Sequence, residues 1–172
     1  HTIHFIDTPG YSDFTSEVQC AARVSDGIAI ILRAIEGVET ETERAWEYAE
    51  EYGLPRMLVV NLLDKEYADF FDVFDRVQER FGQHAVPFQI PIGNSESFSG
   101  VVDLVSMKAI TYHRSGDGKG QIHDIPNDLA DQAEEYREKL IEVAAESDDE
   151  LLELYFEEGA LTDEQLIRGL MI

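Results

Sequence analysis

The sequence predicts an α/β protein: a parallel sheet with helices through its first half, then a smaller α+β portion. Three observations carry this. Strand-like and helix-like patterns alternate with short links through residue 82. Residues 27–32 and 57–61 are nearly unbroken apolar runs, the mark of parallel strands covered on both faces. Beyond residue 82, short β-rich stretches with tight links give way to a long amphipathic helix.

Taken in order, residues 2–6 alternate and are β-rich, and Thr8-Pro9-Gly10 breaks them. Residues 12–24 read as a helix with Phe14, Val18 and Ala21 at helical spacing. The apolar run at 27–32 is a strand, followed by a loop ending at Gly37. A helix over 39–52 has acids in its first turn, where the helix dipole favours them, a stripe of Ala45, Ala49 and Tyr52, and Gly53 at its stop position. Pro55 precedes a second buried strand over 57–61. Phe70, Phe74, Val77 and Phe81 mark one face of a further helix, closed by Gly82. Residues 86–92, 100–105 and 109–113 are short strands of an antiparallel sheet, and 115–120 a hairpin tip or mobile loop. Pro126-Asn127 opens a long helix with Leu129, Ala133, Tyr136, Leu140 and Val143 on one stripe. Asp148-Asp149-Glu150 reads as a helix start or a solvated face rather than a calcium loop, and Thr162 with Gln165 as a capping box before Leu166 and Leu170. The boundary near Gly82 divides the chain into residues 1–82 and 83–172.

Thirty-six acidic residues against thirteen basic ones give a net charge of −23, with only four lysines. Such a surface repels phosphate backbones, so direct nucleic-acid binding by this piece is not expected. The acids are spread along the chain, which favours a salt-rich cytoplasm over one basic protein partner. With 44% hydrophobic residues there is material for a core. No apolar run approaches the roughly 20 residues that span a bilayer, and the start lacks the features of a signal peptide. It reads instead like the middle of a strand, so the chain is expected to be cut from a longer one. The lone Cys20 permits no intramolecular disulfide or cysteine zinc cluster, and a reducing cytoplasm follows. The five histidines show no ligand spacing for zinc.

Two loops carry chemistry. Asp7-Thr8-Pro9-Gly10 follows a strand and precedes a helix, so it lies at the carboxyl edge of the sheet, where α/β proteins bind ligands. An Asp there can hold Mg²⁺, usually through water, and a Gly exposes a backbone N–H to a terminal phosphate. Asn61 and Asp64 end a later strand of the same sheet. A carboxylate can accept two hydrogen bonds from the guanine N1–H and exocyclic amine, which adenine cannot supply. Each loop alone also reads as an ordinary turn; both on one edge, in this order, point to a purine nucleotide.

Asp7-Thr8-Pro9-Gly10-Tyr11-Ser12-Asp13-Phe14 resembles the third motif and switch II of the elongation factor G family of translational GTPases. Gly53-Leu54-Pro55-Arg56-Met57-Leu58-Val59-Val60-Asn61 is similar to the strand leading to that family's fourth motif, and Asp69-Phe70-Phe71 to its next helix. Val86-Pro87-Phe88-Gln89-Ile90-Pro91-Ile92-Gly93, Phe98-Ser99-Gly100-Val101-Val102-Asp103-Leu104-Val105 and Glu134-Glu135-Tyr136-Arg137-Glu138-Lys139-Leu140 resemble its inserted subdomain. The resemblance implies a partial P-loop GTPase-type sheet carrying that subdomain, and a parent acting on the ribosome, most simply in translocation. It implies GTP or GDP on Asp7, Thr8, Pro9, Gly10, Asn61, Leu62, Leu63 and Asp64, and Mg²⁺ at Asp7. Helices of the inserted subdomain would touch the ribosomal stalk protein.

Two residues depart from the pattern. Tyr11 stands where the family usually has the His that orients the attacking water; a phenol donates or accepts a hydrogen bond but brings no positive charge. Tyr there is familiar from a divergent elongation factor G-like branch. Leu62 replaces the Lys of the usual Asn-Lys-x-Asp, so weaker nucleotide affinity with guanine selectivity kept by Asp64 is expected. No Gly-x-x-x-x-Gly-Lys-Ser/Thr occurs, so the isolated chain is expected neither to bind nor to hydrolyse GTP. In the family the strand before the phosphate loop lies between the strands at 2–6 and 27–33. Its absence should leave unpaired edges, and residues 1–25 are expected to rearrange, to pair with another copy, or to belong to a longer chain.

Overall fold

The computed structural model describes residues 2–113 and 118–171. Within the first half, β1 (Ile28–Arg33) lies parallel to β2 (Arg56–Asn61), in register from Ile28 beside Arg56 to Arg33 beside Asn61. The crossover is α2 (Thr40–Glu51). Its start is fixed by a reciprocal cap between Glu39 and Thr42. Its end is fixed by Gly53 at φ 61°, which lets Leu54 N–H reach back to Ala49 O at 2.8 Å. Helix α3 (Phe70–Phe81) starts where the Asp69 carboxylate accepts from the N–H groups of Phe71 and Asp72. It buries Val73 and Val77 against Leu32, Leu58 and Val60.

The expectation of strands covered on both faces is corrected. Ile30 and Leu32 are buried, but Ile31 is 56% exposed and Met57 43%. Helix α3 covers the one face, while along the other β1 faces an open groove. Residues 2–6, expected as a strand, form none, and Phe5 is 91% exposed. A strand needs a ladder partner, and none of the described residues supplies one. The next stretch becomes a single 3₁₀ turn (Ser12–Phe14) and α1 (Thr15–Ala22), stopping short of the predicted residue 24.

The second half holds a four-stranded antiparallel sheet in sequential order: β3 (Gln89–Ile92), β4 (Gly100–Asp103), β5 (Lys108–Thr111) and β6 (Gln121–His123). The last strand has no counterpart in the sequence reading, because three exposed polar-flanked residues carry no burial pattern. The expected hairpin tip falls partly on residues 114–117, outside the described residues. Across this sheet lies α4 (Asn127–Glu146), burying Ala133, Leu140 and Ala144 on Ile90, Val102 and Leu104. Helix α5 (Asp149–Glu158) begins at Asp148, whose carboxylate caps Leu151 N–H. Helix α6 (Asp163–Leu170) begins at the Thr162–Gln165 capping box with both bonds made.

Helix α3 serves both halves. While Val73 and Val77 face the parallel strands, Phe70 and Phe71 pack on the antiparallel core. Phe71 stacks on Tyr136 of α4 with centroids 5.9 Å apart. No helix among the described residues is long and apolar enough to cross a membrane.

Candidate functional site

The parallel register places Arg33 beside Asn61, so both loops that follow β1 and β2 leave from one carboxyl edge. After β2 the chain turns at once. Asn61 Oδ1 accepts from Leu62 N–H at 2.8 Å, and Lys65 N–H donates to Leu62 O at 3.1 Å. This closes Asn61, Leu62, Leu63 and Asp64 into a compact loop, with Leu62 held in the left-handed region at φ 64°. The turn is tied to the second half, where Ser95 N–H donates to Leu63 O at 2.9 Å. Asn61 and Asp64 are exposed, and the Asp64 carboxylate has Lys65 Nζ at 3.7 Å.

Asp7, Thr8, Pro9, Gly10 and Tyr11 lie along an open groove of about 1060 Å³ whose opposite walls are β1 and the start of α2. This segment does not leave from a strand end, contrary to expectation, since residues 2–10 are without strand structure. It still meets the carboxyl edge through Arg33, which lines the same groove. The guanidinium lies 3.1 Å from Glu36 and 3.1 Å from Glu39. The hydrogen bond it donates to Glu39 and the charges of Glu36 and Glu39 hold Arg33 above its usual range, with a smaller push from the Tyr11 phenol. Tyr11 itself is 78% exposed. Asn61, Leu62, Leu63 and Asp64 do not line the groove; Arg33 lines it and stands beside Asn61 in the β1–β2 register.

The groove's described lining sets Asp7, Glu39, Glu41 and Glu43 against Arg33 and Arg44, each arginine ion-paired to a glutamate. Asp7 offers one carboxylate, enough for an ion that keeps most of its waters. The backbone at Gly10 is open, with no atom within 4 Å of a built Cβ. Among the described residues no three His, Cys, Asp or Glu gather into a metal-holding group. Sequence reasoning missed Arg33. The signal was present: a lone charged residue closing an apolar run at the end of a parallel strand.

Two comparisons bear on this geometry. A crystal structure of a protein from Thermus thermophilus superimposes with a TM-score of 0.84 at 32% identity, covering 95% of this chain and 24% of that one. The chain thus spans about a quarter of the length of that relative. The model of the elongation factor Tu GTP-binding domain matches residues 1–159, nearly the whole chain, including both loops and most of the antiparallel half. The chain therefore belongs to the elongation factor Tu GTP-binding-domain family of translational GTPases.

Proposed function

We propose that the chain is part of the GTP-binding domain of a ribosome-dependent GTPase of translation elongation, most simply one acting in translocation. The observation that carries this reading is the family match over residues 1–159, which spans both the Asp7–Gly10 segment and the Asn61–Asp64 loop at the carboxyl edge of the parallel strands. In the parent, Asp7 supports Mg²⁺, Gly10 meets the terminal phosphate and Tyr11 occupies the water-orienting position. Thr8 and Pro9 shape that loop, Leu62 and Leu63 shape the other, and Asn61 with Asp64 reads guanine. Mg²⁺ supplies charge neutralisation at the phosphates when bound. The protein's own share is positioning, completed by a large activating partner. Residues 83–172 form the inserted subdomain that meets the ribosomal stalk, the parent works in the cytoplasm, and the isolated piece is inactive. In the isolated piece the open edge of β1 pairs with strands of other copies.

The test is calorimetric titration of GTP and GDP, with Mg²⁺, into the full-length parent and into this chain. Binding by the parent alone is the expected result. Binding by neither supports the second reading, an acidic docking module with a decayed nucleotide site, which the uncharged Leu62 favours. Release, ribosome-protection and rescue factors share the same scaffold; activity of the parent in a translocation assay separates them.

A further inference from the structure

Among the described residues, three of the four non-glycine positions with left-handed backbone lie on two segments that one hydrogen bond joins. Leu62 (φ 64°) and Tyr67 (φ 66°) are on the loop after β2, and Ser95 (φ 48°) is on the turn between β3 and β4. Such conformations persist where their surroundings over-determine them. The turn meets that requirement. Gly93 sits at φ 76°, where a Cβ would collide with Ser97 O. Ser97 Oγ accepts from Asn94 N–H at 3.0 Å and donates to Asn94 O at 2.7 Å. Ser99 N–H closes the base of the turn on Ile92 O at 3.0 Å. What this turn presents to the loop is the Ser95 N–H, 2.9 Å from Leu63 O.

The Leu63 carbonyl belongs to the planar peptide unit that leads into Asp64, so holding its oxygen fixes the direction in which Asp64 leaves the loop. The other end is fixed at β2, where Asn61 O accepts from Ala34 N–H at 2.9 Å. Between these two anchors Leu62 keeps a backbone form that leucine disfavours on its own. Resting on the nucleotide reading above, we infer that Ser95 is a positioning residue for base recognition: its N–H holds Leu62 in the left-handed form and so sets Asp64 to meet both guanine donors. The antiparallel half thus contributes to selectivity at a loop of the parallel half.

The test uses the full-length parent and its Gly93→Ala and Ser97→Ala forms, each with and without Leu62→Asn. Amide exchange at Ser95 is read without nucleotide. Affinity is then measured for GDP and for inosine diphosphate, whose base keeps the N1–H but lacks the exocyclic amine. Gly93→Ala is expected to speed exchange at Ser95 and to cut the preference for GDP about threefold to tenfold. Ser97→Ala, a milder loosening of the same turn, should move both readouts in the same direction, and it carries the comparison where Gly93→Ala does not fold. Adding Leu62→Asn should restore the preference while exchange stays fast, because asparagine tolerates the left-handed form unaided. An unchanged preference, equal losses of both nucleotides, or a preference that Leu62→Asn does not restore overturns the inference. So does exchange at Ser95 that stays as slow in the turn variants as in the parent. A parent that binds neither nucleotide overturns the nucleotide reading itself, and the inference with it.

Discussion

Leu62 occupies the left-handed region because the chain must turn sharply after β2 while Asn61 accepts the Leu62 N–H. A leucine there costs about 1–2 kcal/mol relative to an ordinary conformation, whereas Asn tolerates it through its short polar side chain. Leu62 is 37% exposed, so its side chain is only partly covered. Leu62→Asn is therefore expected to raise stability by about 1 kcal/mol, seen as a higher urea midpoint at constant slope. An unchanged or lower midpoint would mean that contacts of the leucine outweigh the backbone strain. Residue identities at the two loops were legible in the sequence because Asp, Gly and Asn carry specific hydrogen-bonding chemistry. The placement of Arg33 beside Asn61 was not, since register is a property of two segments together.

Helices were the most legible elements, and their caps show why. Asp69, Asp148 and Thr162 each satisfy end N–H groups with a local side chain, a signal contained within a few residues. Strands depend on distant partners. Residues 2–6 have strand composition but no strand neighbour among the described residues, while Gln121–His123 has weak composition yet pairs with β5. In β1 the N–H groups of Ile28 and of the residue just after the strand, Ala34, donate to Pro55 and Asn61 of the β2 segment. By the period of two, Ala29, Ile31 and Arg33 turn theirs to the open edge. Packing between helices is tight where α6 crosses α4: a Cβ on Gly169 would lie 2.5 Å from Ala144 O. Gly169→Ala is expected to destabilise the chain by about 1–3 kcal/mol, measured by thermal melting. The contact is with backbone, which cannot swing aside. An unshifted melting temperature would show that α6 slides to make room.

At the scale of the molecule, a net charge of −23 on a small chain opposes compaction through self-repulsion. The described ion pairs are mostly half exposed and only partly offset it. Raising salt from about 0.1 M to about 1 M shortens the screening length from about 10 Å to about 3 Å. The melting temperature should then rise by about 3 °C or more, equivalent to about 1 kcal/mol for a chain of this size. A flat or falling curve in sodium chloride would place the balance with the ion pairs instead. The parallel and antiparallel halves were legible as separate patterns, yet their union was not, because it runs through one helix whose two faces look alike in composition. In mechanical terms α3 is a shared beam, roughly 18 Å long at 1.5 Å per residue. Phe70 and Phe71 clamp one end to the antiparallel core, and Val73 and Val77 rivet its length to β1 and β2. The bond from Ser95 to Leu63 braces the two bodies a second time, at the Asn61–Asp64 loop. Two attachment points remove the freedom to hinge about either one, so torque applied to α4 is delivered to the edge where Asn61 and Arg33 stand side by side.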